Sequence, residues 1–100
     1  MSKALDYLEA NQSPEPSRWR EKAQWRRDNE YWLKYSRQIT IKVLRSMDEQ
    51  SITQVELARR IGCTQQYVST LLKGSSNMTL ETIARLEKAL DIDLIKSILT

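Results

Sequence analysis

Three residues in the second half of the chain, Thr53, Gly62 and Thr64, leave little choice in how the stretch around them folds. Thr53 suits a helix N-cap, and Glu56 follows it at the spacing of a capping box. Gly62 then supplies the left-handed conformation that only glycine adopts cheaply, so the first helix should run from Gln54 to Ile61 and stop there. Thr64 caps a second helix, expected over 65–73 and closed by Gly74. Two helices crossing at about 90 to 120° through so short a turn need a small residue where they touch and apolar residues facing a common core. Ala58 meets the first need, and Leu57, Ile61, Val68 and Leu71 meet the second.

The rest of the chain is read around that pair. Polar residues 75–77 form a loop, Thr79 caps a third helix to about Leu90, and Asp93 starts a short last helix holding Leu94, Ile95, Ile98 and Leu99. Upstream, residues 2–10 suit a short helix with Leu5 and Leu8 inward, and residues 11–17 break it with Pro14 and Pro16. Ser17 suits an N-cap, with Arg20 and Glu21 in the first turns, and helical propensity stays high as far as Glu49. Trp25, Trp32, Ile39, Val43 and Met47 track one face of that stretch. One long helix and two helices broken near Asn29 both fit; a run beyond about 25 residues without a breaker favours two, packed as a hairpin or bend. With only 2 glycines and 2 prolines in 100 residues, the fold class is all-α. The chain divides into three regions: 1–16 as an N-terminal segment and proline-containing linker, 17–35 as a basic aromatic helical extension, and 36–100 as the domain proper.

Composition narrows the chemistry. A length of 100 residues leaves no room for a separate catalytic domain, and 40% hydrophobic with 29% charged residues suits a soluble protein with no membrane partner. Asp6 and Glu9 interrupt Leu5, Tyr7 and Leu8, so no export leader is read and a cytoplasmic location is expected. One cysteine and no histidine give neither a disulfide nor a zinc set, so no metal and no cofactor is expected. Cys63, at the turn, reads as a small buried hydrophobe. Asp91 and Asp93 read as a helix cap and its flank, since a catalytic dyad needs a polar cleft that this chain scarcely builds. The net charge is +3, yet between residues 17 and 45 nine Lys or Arg face three Asp or Glu, which makes an acidic polymer a reasonable partner.

Packing of Val68 and Leu71 leaves Gln65, Gln66, Ser69, Thr70 and Lys73 on the outward side of the second helix, a polar face without acid that suits the DNA major groove. The run TQVELARRIGCTQQYVSTLLKG closely resembles the helix-turn-helix of the Cro/C1 (xenobiotic-response-element) family of phage and bacterial repressors. In that family a TQxELA helix precedes a G-x-(S/T)-Q-x turn and recognition helix, and LETIARLEKAL is similar to the family's next helix. The resemblance spans roughly residues 39–90 and leaves the first 30 outside it.

The resemblance implies a lambda-repressor-like bundle with an N-terminal helical extension, and a non-enzymatic, sequence-specific regulator of transcription. It puts Gln54 and its helix N-terminus near a phosphate, with Gln65 and Gln66 at base edges, where glutamine can bridge N6 and N7 of adenine. Ser69 and Thr70 would contact bases or backbone a turn later, and Lys73 a phosphate. Thr64 and Tyr67 border this face, Tyr67 reading equally as packing and as a sugar-phosphate contact. The loop 75–77 lacks the basic residues often found there, so its phosphate contact falls to amides and Asn77, and load shifts to Arg37, Lys42 and the N-terminal helix.

A single recognition helix offers few base contacts, so a homodimer on a palindromic operator is expected, with half-sites about one DNA turn apart. Residues 94–99 are the candidate seam and the aromatic N-terminal helix its competitor. The basic run Arg18, Arg20, Lys22, Arg26 and Arg27 reads either as a solvated face or as a surface along DNA. Trp19, Trp25, Trp32, Tyr31 and Tyr35 suggest an interface. Antitoxins of this family carry such appendages, so the alternative is an antitoxin that represses its own operon and binds a toxin through residues 1–35. A pure protein-interaction module ranks below both, because the reading face carries no acid.

Overall fold

A computed structural model describes residues 16–96 of the chain, with side chains from residue 18 onward. The expected helix over 2–10, the Pro14 break and the last residues of the C-terminal helix, Ile98 and Leu99 among them, lie outside the described residues.

Among those described, four helices and no strand occur: α1 Pro16–Gln50, α2 Gln54–Ile61, α3 Gln65–Leu71 and α4 Leu80–Leu90. The all-α expectation holds. The expected break near Asn29 does not, because α1 is one helix of 35 residues. The Asn29 carboxamide donates to the Trp25 carbonyl at 2.7 Å and accepts from the Trp32 indole N–H at 2.8 Å, so a residue that usually competes with the helix backbone here stitches two turns together. Trp25 and Trp32 meet edge to face, 6.0 Å between ring centres, across the same turns. Pro16, the first described residue, is already helical. The boundary expected between residues 35 and 36 falls inside α1, which passes through it unbroken.

Burial divides α1 into two halves. Leu33, Ser36, Ile39, Thr40, Val43, Ser46 and Met47 are buried, whereas every residue from 18 to 28 is exposed. Trp25 therefore continues the expected stripe without entering the core.

The core is shared by all four helices. Val43 of α1, Leu57 of α2, Val68 of α3, and Leu86 and Leu90 of α4 are almost wholly enclosed, each such side chain adding about 1.5 to 3 kcal/mol through its removal from water. Ala58 lies at the α2–α3 crossing, buried, as the motif requires.

Three threonines start helices. The hydroxyls of Thr53, Thr64 and Thr79 accept from the backbone N–H groups of Glu56, Tyr67 and Thr82, each at 3.1 Å. The capping box at Thr53 is only half formed, because the Glu56 carboxylate turns to Arg59 and Arg60. Gly62 ends α2 at φ 73°, its N–H reaching back to the Ala58 and Arg59 carbonyls.

At the far ends, arginines cap crosswise: Arg60 of α2 donates to the Ala89 carbonyl of α4, and Arg85 of α4 donates to the Ile61 carbonyl of α2. Gln50 at the end of α1 donates to the Leu90 carbonyl at 2.8 Å. Past Asp91, which takes the left-handed cap position at φ 53°, the Glu87 carboxylate accepts from the N–H groups of Leu94 and Ile95. Helix resumes at Ile95, with Asp93 flanking it. Leu94 is 1% exposed and belongs to the core of its own chain, which removes it from the expected dimer seam.

Candidate nucleic-acid interface

The outward face of α3 is produced by what its inward face must do. Val68 and Leu71, three residues apart, are buried, so the residues between and before them point away from the core. Gln65 and Gln66 occupy the first turn, immediately after the Thr64 cap, and both are exposed. Their carboxamides have no protein partner among the described residues. Each offers a donor and an acceptor on one rigid plane at a helix end whose free N–H groups favour an anion nearby. No acidic residue lies between Thr64 and Lys73.

Other residues expected on this face divide between support and display. The Thr64 hydroxyl serves the cap, and the Thr70 hydroxyl donates to the Gln66 carbonyl at 3.0 Å, so both hold α3 together while remaining exposed. Ser69 is half-buried. Tyr67 leans toward α4, its hydroxyl 3.5 Å from that of Thr82, which favours its packing reading while 44% of the side chain stays accessible. Gln54, half-buried, is the first residue of α2.

Lys73 is exposed but lies beyond α3, which ends at Leu71 rather than at residue 73. The chain tightens there: Lys73 and Gly74 donate to the carbonyls of Thr70 and Leu71, three residues back in each case. Gly74, buried at φ 81°, turns the chain against α1. A side chain at Gly74 would meet Arg37 Cγ at 3.7 Å and Thr40 Oγ1 at 3.9 Å.

Two buried hydroxyls on α1 secure the end of α3 and the loop beyond it, and sequence reasoning missed both. Ser36 donates to the Ser76 carbonyl at 2.8 Å, and Thr40 donates to the Leu71 carbonyl at 3.4 Å. Ser76 in turn donates to the Thr70 carbonyl at 3.1 Å. The loop that displays exposed Asn77 is therefore fastened both to α1 and to the end of α3. The available signal was the placement of Ser36 and Thr40, four residues apart, within the apolar stripe of Leu33, Ile39 and Val43. Arg37, named as a substitute for the missing basic loop residues, is exposed and ion-paired with Glu30, whereas Lys42 is half-buried.

A family model described as helix-turn-helix matches residues 41–96, more than half of the chain. The chain belongs to the Cro/C1-type helix-turn-helix family. It has that family's lambda-repressor-like all-α fold, and the family is one of DNA-binding transcription regulators. Searches of curated proteins and of solved structures returned no match. The match ends on the N-terminal side at residue 41, so most of α1 extends beyond the family's shared part.

No helix among the described residues is long and apolar enough to cross a membrane, and no cluster of three or more His, Cys, Asp or Glu there suits a metal. Cys63, expected as a buried small hydrophobe, is only half-buried at the edge of the core, and its partial burial pushes the thiol up.

Proposed function

We propose that the protein is a repressor that binds a palindromic operator as a homodimer, with α3 in the major groove of each half-site. One observation carries this reading: Gln65 and Gln66 stand together, exposed and unengaged, in the first turn of a helix whose opposite side is locked into the core. Base edges are read by such amide planes, and adenine offers the matching donor and acceptor. Ser69 and Thr70 extend the contact by a turn, while Gln54, Lys73 and Asn77 bracket it on the phosphates. Thr64 and Tyr67 support the face from its edge.

Selection of bound sequences from a randomised duplex pool tests the reading. A two-fold symmetric site retained at moderate salt is the expected result. Replacing Gln65 and Gln66 by alanine should then abolish site preference and leave salt-sensitive general binding in place. Equal losses on selected and random DNA would remove both residues from the reading head.

A second reading, an antitoxin that also binds a toxin through its N-terminal segment, is favoured by the exposure of Trp19 and Tyr31, 75% and 72%. A toxin encoded beside this gene, and its co-purification through residues 1–35, would establish it.

A further inference from the structure

Of the three phosphate-facing positions proposed above, Gln54 and Asn77 both lie beside α1. Gln54 follows the last residue of α1 after a short turn, and Asn77 sits in the loop that Ser36 fastens and that lines a small hollow with Trp32 and Tyr35. Between them Thr40 holds the carbonyl end of α3. The helix thus runs from near Gln54, past the carbonyl end of α3, to the loop of Asn77 and continues beyond it.

That continuation is exposed throughout residues 18–28 and carries Arg18, Arg20, Lys22, Arg26 and Arg27 against Glu21 and Asp28. Arg18, Lys22 and Arg26, at intervals of four, prolong the stripe that further along carries buried Leu33, then Ser36 bonded to the loop and Thr40 bonded to the end of α3. Arg20 and Arg27 lie on the opposite side.

We propose that the N-terminal half of α1 is a second DNA contact, a basic arm laid along the phosphates that flank the site read by α3. The proposal rests on the orientation assigned to α3. From Ser36 to Arg18 the arm reaches about 27 Å at 1.5 Å per residue, the length of about eight base-pair steps. Its match to the duplex is one of charge, since a row of cations on one helix face meets a polyanion and needs no base edge. Rigidity adds to it: the Asn29 bridge and the Trp25–Trp32 contact keep the arm continuous with the domain, so the cations are positioned before DNA arrives.

The test compares wild type with Arg18→Gln/Lys22→Gln/Arg26→Gln and with Arg20→Gln/Arg27→Gln on a duplex of about 40 base pairs and arbitrary sequence, from about 50 to about 200 mM salt. Three phosphate contacts at about 0.9 each make wild-type affinity fall about 40-fold more than that of the triple variant across this range. The double variant should change the salt slope far less per charge removed. Equal slopes for wild type and the triple variant would overturn the proposal and leave the arm to a protein partner. An equal effect per charge on both faces would overturn it too, by showing diffuse attraction rather than a laid arm. Far-UV circular dichroism confirms that the variants keep their helix. The readout does not use site preference, so failure of the Gln65 and Gln66 reading would appear separately, as equal losses on selected and random DNA when both are replaced, with the slope difference intact.

Discussion

Replacing Asn29 by proline separates the two halves of α1 and asks what each contributes. Proline at this position removes the N–H that bonds to the Trp25 carbonyl and drives its ring into that same carbonyl, a local cost of about 3 kcal/mol in a helix interior. The substitution also removes the carboxamide that joins Trp25 to Trp32. If that cost fell on global stability, the midpoint of thermal unfolding would drop by roughly 12 to 24 °C, at about 4 to 8 °C per kcal/mol for a domain of this size. Residues 18–28 are all exposed and none belongs to the core, however, so the chain can relieve the strain by melting the arm instead. A detached helix of that length is marginal in water, because helices shorter than about 12 to 15 residues do not support their own nucleation. Relative to the described helices of 35, 8, 7 and 11 residues, melting of 16–28 removes about a fifth of their contribution to ellipticity at 222 nm. The expected result is that loss of signal together with a midpoint within a few degrees of wild type, and a salt slope on DNA close to that of the triple arm variant. A midpoint lowered by more than about 12 °C would refute the reasoning, since it would mean that the arm and the core unfold as one unit.

Two further perturbations bear on the framework. Gly62→Ala and Gly74→Ala both force an L-residue into the left-handed region, at φ 73° and 81°, and each should cost about 1 to 2 kcal/mol by denaturant unfolding. At Gly62 nothing lies within 4 Å, so the loss is strain alone; at Gly74 the added methyl finds ordinary contact with Arg37 and Thr40, and an equal or smaller loss is expected. Hydrogen bonds from Arg59 and then Arg60 hold the Glu56 carboxyl down to about 2, from an ordinary 4.5. A group lowered on folding stabilises above its unfolded value and loses that contribution as pH falls through the folded one. Unfolding midpoints should therefore decline from about pH 4.5 toward pH 2 more steeply in wild type than in Glu56→Gln, and matching profiles would mean that the two arginines contribute nothing.

The features legible in the sequence were those settled within one turn of chain. Thr53, Gly62, Thr64 and Thr79 act through hydrogen bonds to residues no more than four positions away, so their identities alone place three helix starts and one stop. The same locality made Gln65 and Gln66 readable: a capped helix with Val68 and Leu71 inward has only one side left for them. The misreadings share a different origin. Asn29 weakens a helix by propensity, and only its bonds to the Trp25 carbonyl and the Trp32 indole turn it into a brace. Glu56 has the spacing of a capping box, but two arginines compete for its carboxylate and win. Lys73 continues the α3 pattern, yet the chain leaves the helix after Leu71 because Gly74 is seated on α1, where Arg37 and Thr40 meet it. Long-range contacts from α1 decide the last of these, and α1 is the element whose length propensity could not judge. The loop bearing Asn77 is held by Ser36 of α1 as well as by its own Ser76, and Thr40 holds the end of α3, so on the proposed reading the spacing between Gln54, α3 and Asn77 is set in part by a helix that supplies none of the three.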